Sequence, residues 1–263
     1  MKIAITGKGG VGKTTFSAIL ARLYAEDGRK VLTVDADPDA NLGLALGFDR
    51  ETLSQIIPVA HLKTLVNERT GASEENMGKF FKINPKVDDI PDMYAKECNG
   101  VKLLTLGTVE TGGSGCVCPE HVLIKRIISH LVVHSDEVVI MDMEAGIEHL
   151  GRGTASSVDQ FIVVIEPGAR SIQTYEKVKK LAQDLGVGKV RAVANKVRDK
   201  SDEEFISENI KDDILGFIHY NQEVIDADRQ GKSPFDFSEA AIGEVRLIKQ
   251  KIDNEFNELR GEK

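Results

Sequence analysis

The sequence predicts an α/β fold, a doubly wound and mostly parallel sheet flanked by helices and carrying a phosphate-binding P-loop. Three observations predict it. Short runs of apolar and β-branched residues recur with helix-like segments between them, which is how strands buried on both faces read. The stretch GKGGVGKTT, residues 7–15, stands between the first such run and the first helix-like segment. The 263 residues suit one large α/β domain with a filled core.

Strands are expected over residues 3–6, 31–36, 101–106, 137–141, 160–165, 190–194 and 214–219. Helices are expected over 14–27 and 171–185, closed by Gly28 and Gly186. Strand, helix, strand repetition implies parallel pairing, with ligands bound beyond the carboxyl ends of the strands. Residues 49–100 are less regular. A helix around 53–68, a polar bridge over 70–79 and the prolines Pro85 and Pro91 suggest an inserted lobe on the sheet edge of a single domain, 1–263. In the tail, Val245, Ile248, Ile252, Phe256 and Leu259 recur at helical spacing. Such a stripe can anchor to a membrane or dock on the core. From Glu244 onward acidic and basic residues number five each, leaving no basic face for anionic lipid, so docking is expected.

The formal net charge of −8 argues against a basic nucleic-acid surface. No apolar run approaches the roughly 18 residues a membrane span needs. Both points suggest a cytoplasmic chain that engages neither nucleic acid nor membrane. Three cysteines do not make a disulfide framework.

Residues 7–15 carry the whole G-x-x-x-x-G-K-T pattern of a P-loop NTPase in its strand–loop–helix context. The backbone N–H groups of Gly9, Gly10, Val11 and Gly12, followed by Lys13, Thr14 and Thr15, can wrap phosphates at a helix start. Lys13 can reach the β- and γ-phosphates, and the Thr14 hydroxyl can ligate Mg²⁺. Lys8, at the loop tip, points away from the phosphates its own backbone wraps. It is either a solvated lysine or a cation for nucleotide held by a facing subunit.

Two further loops converge on the phosphates. In DADPDAN, residues 35–41, Asp35 is assigned to the metal side and Asp37 to the attacking water, the alternative being a plain turn. Asn41 and the leucines after it start a short helix that could switch with the γ-phosphate. Asp142, delivered by the apolar run 138–141, has the form of a Walker B carboxylate, and Gly146 could offer an N–H to the γ-phosphate. Glu144, Glu148, His149 and Arg152 lie on that second switch. Asn195 ends a strand where base recognition is expected. Arg198 stands where guanine readers carry aspartate, which favours adenine, although Asp199 one residue on leaves a shifted guanine contact open.

Cys116 and Cys118 flank Val117 on a glycine-rich loop before a helix opened by Pro119. The helix start should lower the thiol pKa, and thiolates bind soft or borderline metals. One C-x-C supplies two ligands, so a two-fold dimer could supply four; packed thiols are the alternative. Cys98 reads as structural, and His121 as a helix-start residue.

With its early lysine the chain resembles the deviant Walker A ATPases, which include MinD, ParA, the nitrogenase iron protein and metal-insertion ATPases. Adding the cysteine pair and DMEAGIEHLGRGT, it resembles the CooC-type ATPases, the nickel-insertion accessory proteins of carbon monoxide dehydrogenase. That resemblance implies a cytoplasmic, Mg²⁺-dependent ATPase that dimerises with nucleotide and metal, with catalytic roles on Lys8, Lys13, Asp37 and Asp142. It also implies Ni²⁺ or Zn²⁺ held on Cys116 and Cys118 of both subunits, and the dehydrogenase apoenzyme as partner. The rivals are an iron–sulfur reductase like the nitrogenase iron protein, which draws its cysteines from separated loops, and a MinD- or ParA-type positioning ATPase.

Overall fold

The computed structural model describes residues 1–37, 39–72, 81–107, 118–134, 137–144, 155 and 157–261. Among them eight strands form one sheet in the order β3-β4-β2-β5-β1-β6-β7-β8. They are β1 (Lys2–Thr6), β2 (Val31–Ala36), β3 (Lys96–Cys98), β4 (Val101–Thr105), β5 (Val138–Met143), β6 (Gln160–Ile165), β7 (Val190–Val197) and β8 (Ile214–His219). All neighbours pair in parallel except β3 with β4. The seven expected strands are present. The eighth, β3, is a polar edge strand that the apolar pattern does not show. It turns into β4 through Asn99 and Gly100, both at positive φ (51° and 75°), the conformation an Asn-Gly hairpin turn requires.

Ten helices accompany the sheet among the described residues. On the amino-terminal side lie α1 (Lys13–Glu26), α2 (Leu42–Leu46), α3 (Arg50–Gln55), α4 (Lys63–Thr70) and α5 (Ile90–Tyr94). Then come α6 (Pro119–His134), α7 (Ala169–Asp184), α8 (Lys200–Ile210), α9 (Gln222–Gln230) and α10 (Glu239–Arg260). None is long and apolar enough to cross a membrane. Pro119 opens α6 at its first position, where its missing N–H costs nothing.

The helix expected around 53–68 is not one helix. α3 ends at Gln55, Pro58 follows in extended backbone, a single 3₁₀ turn covers Val59–His61, and α4 starts afresh at Lys63. Proline bars the residue before it from helical geometry and lacks an N–H for the ladder. The remade segment is part of the core: Val59, Leu65, Val66, Val87 and Ile90 are buried with Leu123, Ile127 and Leu131 of α6.

α1 and α10 cover the other face. Phe16, Ile19, Leu20 and Leu23 of α1 pack with Val245, Ile248 and Ile252 of α10, all at most 1% exposed. The tail stripe therefore docks on the core from Val245 to Ile252, with Phe256 half-buried against it; the Leu259 side chain lies outside what is described. The seam is also polar and paired. Lys249 Nζ lies 2.6 Å from Asp27 and 2.8 Å from Asp253, and the Tyr24 hydroxyl donates to Asp253 at 2.9 Å.

Candidate active site

Parallel pairing puts the carboxyl ends of β1, β2 and β5 side by side, with Ile5 and Asp35 both in register with Asp142. The P-loop leaves β1 at this edge and runs into α1. Gly7 (φ 149°) lies so close to β6 that a Cβ would stand 2.3 Å from the Val164 carbonyl oxygen. At Gly12 (φ 95°) a Cβ would stand 2.0 Å from Asn195 Nδ2. Neither position admits a side chain, and the loop owes its path to both.

A cleft of about 550 Å³ opens here, lined at one end by Gly9, Gly10, Gly12, Lys13, Thr14 and Thr15. Lys13 is buried, and its Nζ stands 3.7 Å from Asp37 Oδ2. The other carboxylate oxygen of Asp37 accepts from the Asp39 N–H at 3.0 Å, so the expected turn exists and still aims the carboxylate at Lys13. Asp35 accepts from the N–H groups of Leu42 (3.0 Å) and Asp37 (3.3 Å), which pins the loop between them. Burial outweighs those bonds and pushes the Asp35 carboxyl up to about 6.

Asp142 is 1% exposed, and neither of its carboxylate oxygens has a hydrogen-bond partner among the described residues. Burial pushes it up to about 7; the Thr14 hydroxyl alongside favours its charged form without completing a hydrogen bond, and Asp35 opposes it. A buried carboxylate left unpaired beside a hydroxyl is the donor set a hard, oxygen-seeking cation uses, so Mg²⁺ fits this pair.

Asn195 lines the cleft, but its Nδ2 donates to the Val11 carbonyl at 2.7 Å, leaving the Oδ1 side of the amide for a base. Asp199 accepts from the Asp202 N–H at 3.1 Å as the N-cap of α8. Its Oδ1 is thus engaged at the helix start. The far end of the cleft is built by Ile218, Tyr220, Asn221, Val224 and Pro234, which no motif marks. Only the sheet order could have found them, because it sets the end of β8 next to β7 and the P-loop. His219, at that strand end, holds Glu244 at 2.7 Å through Nδ1 and Glu203 at 3.1 Å through Nε2, and the Glu244 contact leads in raising its pKa.

Lys8 is exposed at the loop tip. Gly146, Glu148, His149, Arg152 and Cys116 lie outside the described residues. Cys118, half-buried at the foot of α6, corrects one expectation. Burial, with help from Glu120, raises its thiol pKa, and the His121 N–H at the helix start offsets this only in part. Among the described residues no three His, Cys, Asp or Glu side chains gather as a metal site.

Residues 2–235 match the family described as the CobQ/CobB/MinD/ParA nucleotide binding domain. The chain belongs to that family. It is 47% identical over 249 residues to the carbon monoxide dehydrogenase accessory protein CooC of Rhodospirillum rubrum, across 94% of each chain. An uncharacterized ATP-binding protein of Methanocaldococcus jannaschii is 46% identical over 252 residues, across 94% of this chain and 96% of that one. Among solved structures, a chain of the MinC:MinD cell division protein complex of Aquifex aeolicus superposes with a TM-score of 0.68 at 18% identity, over 97% and 96% of the two chains. MinD of Pyrococcus horikoshii with Mg-ADP gives 0.67 at 18% identity over 96% of each. These two likenesses show the fold, in which the P-loop, Asp35 and Asp142 lie at the carboxyl ends of β1, β2 and β5.

Proposed function

We propose that the chain is an ATP-hydrolysing metallochaperone accessory to carbon monoxide dehydrogenase, acting in the cytoplasm as a homodimer. The observation that carries this is the 47% identity to CooC over 94% of the chain, in a sequence that has the whole P-loop pattern and a C-x-C pair. The chain works as one ATPase domain, with 49–100 as its inserted part.

In this reading ATP lies along the cleft, with its phosphates on the P-loop and its base between Asn195 and the β8 end. Thr14 and Asp142 are the residues that hold Mg²⁺, which when bound neutralises phosphate charge. Lys13 exchanges Asp37 for the β- and γ-phosphates, and the released Asp37 orients the attacking water. Gly146 gives its N–H to the γ-phosphate, and Lys8 reaches across to the partner's nucleotide. Closure brings Cys116 and Cys118 of both subunits around one Ni²⁺ or Zn²⁺ ion, the cargo, and hydrolysis releases it towards the dehydrogenase apoenzyme.

A membrane-positioning role like that of MinD is disfavoured by α10, whose apolar stripe is consumed by the core. Metal titration followed by native mass measurement, with and without ATP, tests the proposal. One Ni²⁺ or Zn²⁺ per two chains is expected, and Cys116→Ala/Cys118→Ala should lose it. Metal retained by the double variant overturns the cysteine assignment.

A further inference from the structure

We propose that Lys196 is a positioning residue for the P-loop, holding its peptide planes so that the phosphate-binding amides are set before nucleotide arrives. This rests on the chain binding ATP, as proposed above, and on nothing about the metal.

Strand β7 is irregular where it meets the P-loop. In a regular strand successive side chains point to opposite faces of the sheet, so Asn195 and Lys196 should diverge. They do not. The register of β7 against β8 shifts between Ala194 and Val197, and Lys196 sits at φ 59°, a left-handed conformation that a residue with a Cβ adopts only under constraint. As a result both side chains reach the same loop. Asn195 Nδ2 donates to the Val11 carbonyl at 2.7 Å, and Lys196 Nζ donates to the Gly10 carbonyl at 2.5 Å.

Two consecutive P-loop carbonyls are therefore held from one side. The peptides are trans, so each N–H points opposite to its carbonyl. Pulling the Gly10 and Val11 oxygens towards β7 turns the N–H groups of Val11 and Gly12 away from it. Glu166, at the end of β6, stands 3.7 Å from Lys196 Nζ and steadies the ammonium from its other side. A fixed amide array loses less freedom when phosphate binds, which appears as affinity. Strain at a residue of no required type, retained where it brings a cation onto the loop, marks a functional backbone distortion.

The alternative is that Lys196, which also lines the cleft, reads the base. Calorimetric titration of wild type, Lys196→Met, Lys196→Arg and Lys196→Gly with Mg-ATP, Mg-ADP and Mg-GTP separates the two. Lys196→Met keeps the stem and loses the donor; it should weaken ATP and ADP alike by about tenfold, with the ATP-to-GTP ratio unchanged. Lys196→Arg, which keeps a donor, should recover part of the loss. Lys196→Gly relaxes the backbone, so it should melt no lower than wild type and yet bind as weakly as Lys196→Met. ATP affinity within twofold of wild type in Lys196→Met, a changed ATP-to-GTP ratio, or affinity regained in Lys196→Gly each overturns the proposal. Wild-type protein that binds no ATP overturns the ATPase reading instead.

Discussion

The two ends of α1 treat buried charge in opposite ways. At its carboxyl end Lys249 is paired with Asp27 and Asp253, and Asp253 uses its second oxygen on the Tyr24 hydroxyl. Each group that burial takes from water finds a partner there. At its amino end Asp142 is more deeply buried and has no hydrogen-bond partner among the described residues, while Asp35 is raised by the same desolvation. An arrangement made only for stability would look like the first end. The second end keeps an unfavourable charge, and in the proposed function phosphate and a cation supply the compensation that the fold withholds.

Ile252→Ala removes a fully buried side chain from the α1–α10 seam and should cost about 2–5 kcal/mol in denaturant unfolding. ATP affinity should be nearly unchanged in the folded fraction. A large affinity loss would mean that the two ends are not independent. A smaller effect sharpens the base end of the cleft. Asp199→Ala should cost about 1 kcal/mol, the worth of an N-cap, and leave the preference for ATP over GTP unaltered. A change in that preference would return Asp199 to the base site.

How much of this was legible without coordinates depends on the physics of each part. The seven apolar strands and the P-loop are local patterns, and local patterns survive in sequence. Strand β3 failed the apolar test because Lys96 and Glu97 are exposed, yet the Asn99-Gly100 pair was a hairpin signal in plain view. Pro58 likewise announced the break between α3 and α4. Asp35 and Asp142 could be named from their positions after strands, but their mutual contact in register and the missing partners of Asp142 come from the sheet order. The turn of Lys196 onto Gly10 and the lining of the cleft by Tyr220 and Asn221 are wholly tertiary. No spacing in the sequence encodes them.

The cleft carries its charge uncompensated, which the unfolding free energy of wild type and Asp142→Asn across pH, without nucleotide, would register. Burial raises the folded-state pKa of Asp142 from 3.8 to about 7, and that of Asp35 to about 6, so the native state holds extra protons between those values. The stability these groups contribute is present at low pH and is lost as pH rises through that window. Asp142→Asn should therefore be more stable than wild type at pH ~8, by up to about 4 kcal/mol, and the difference should shrink as pH falls and close only below about pH 4, where the carboxyl is protonated in the unfolded chain as well. A variant less stable than wild type at the higher pH, or a gap that pH does not move, would contradict the account.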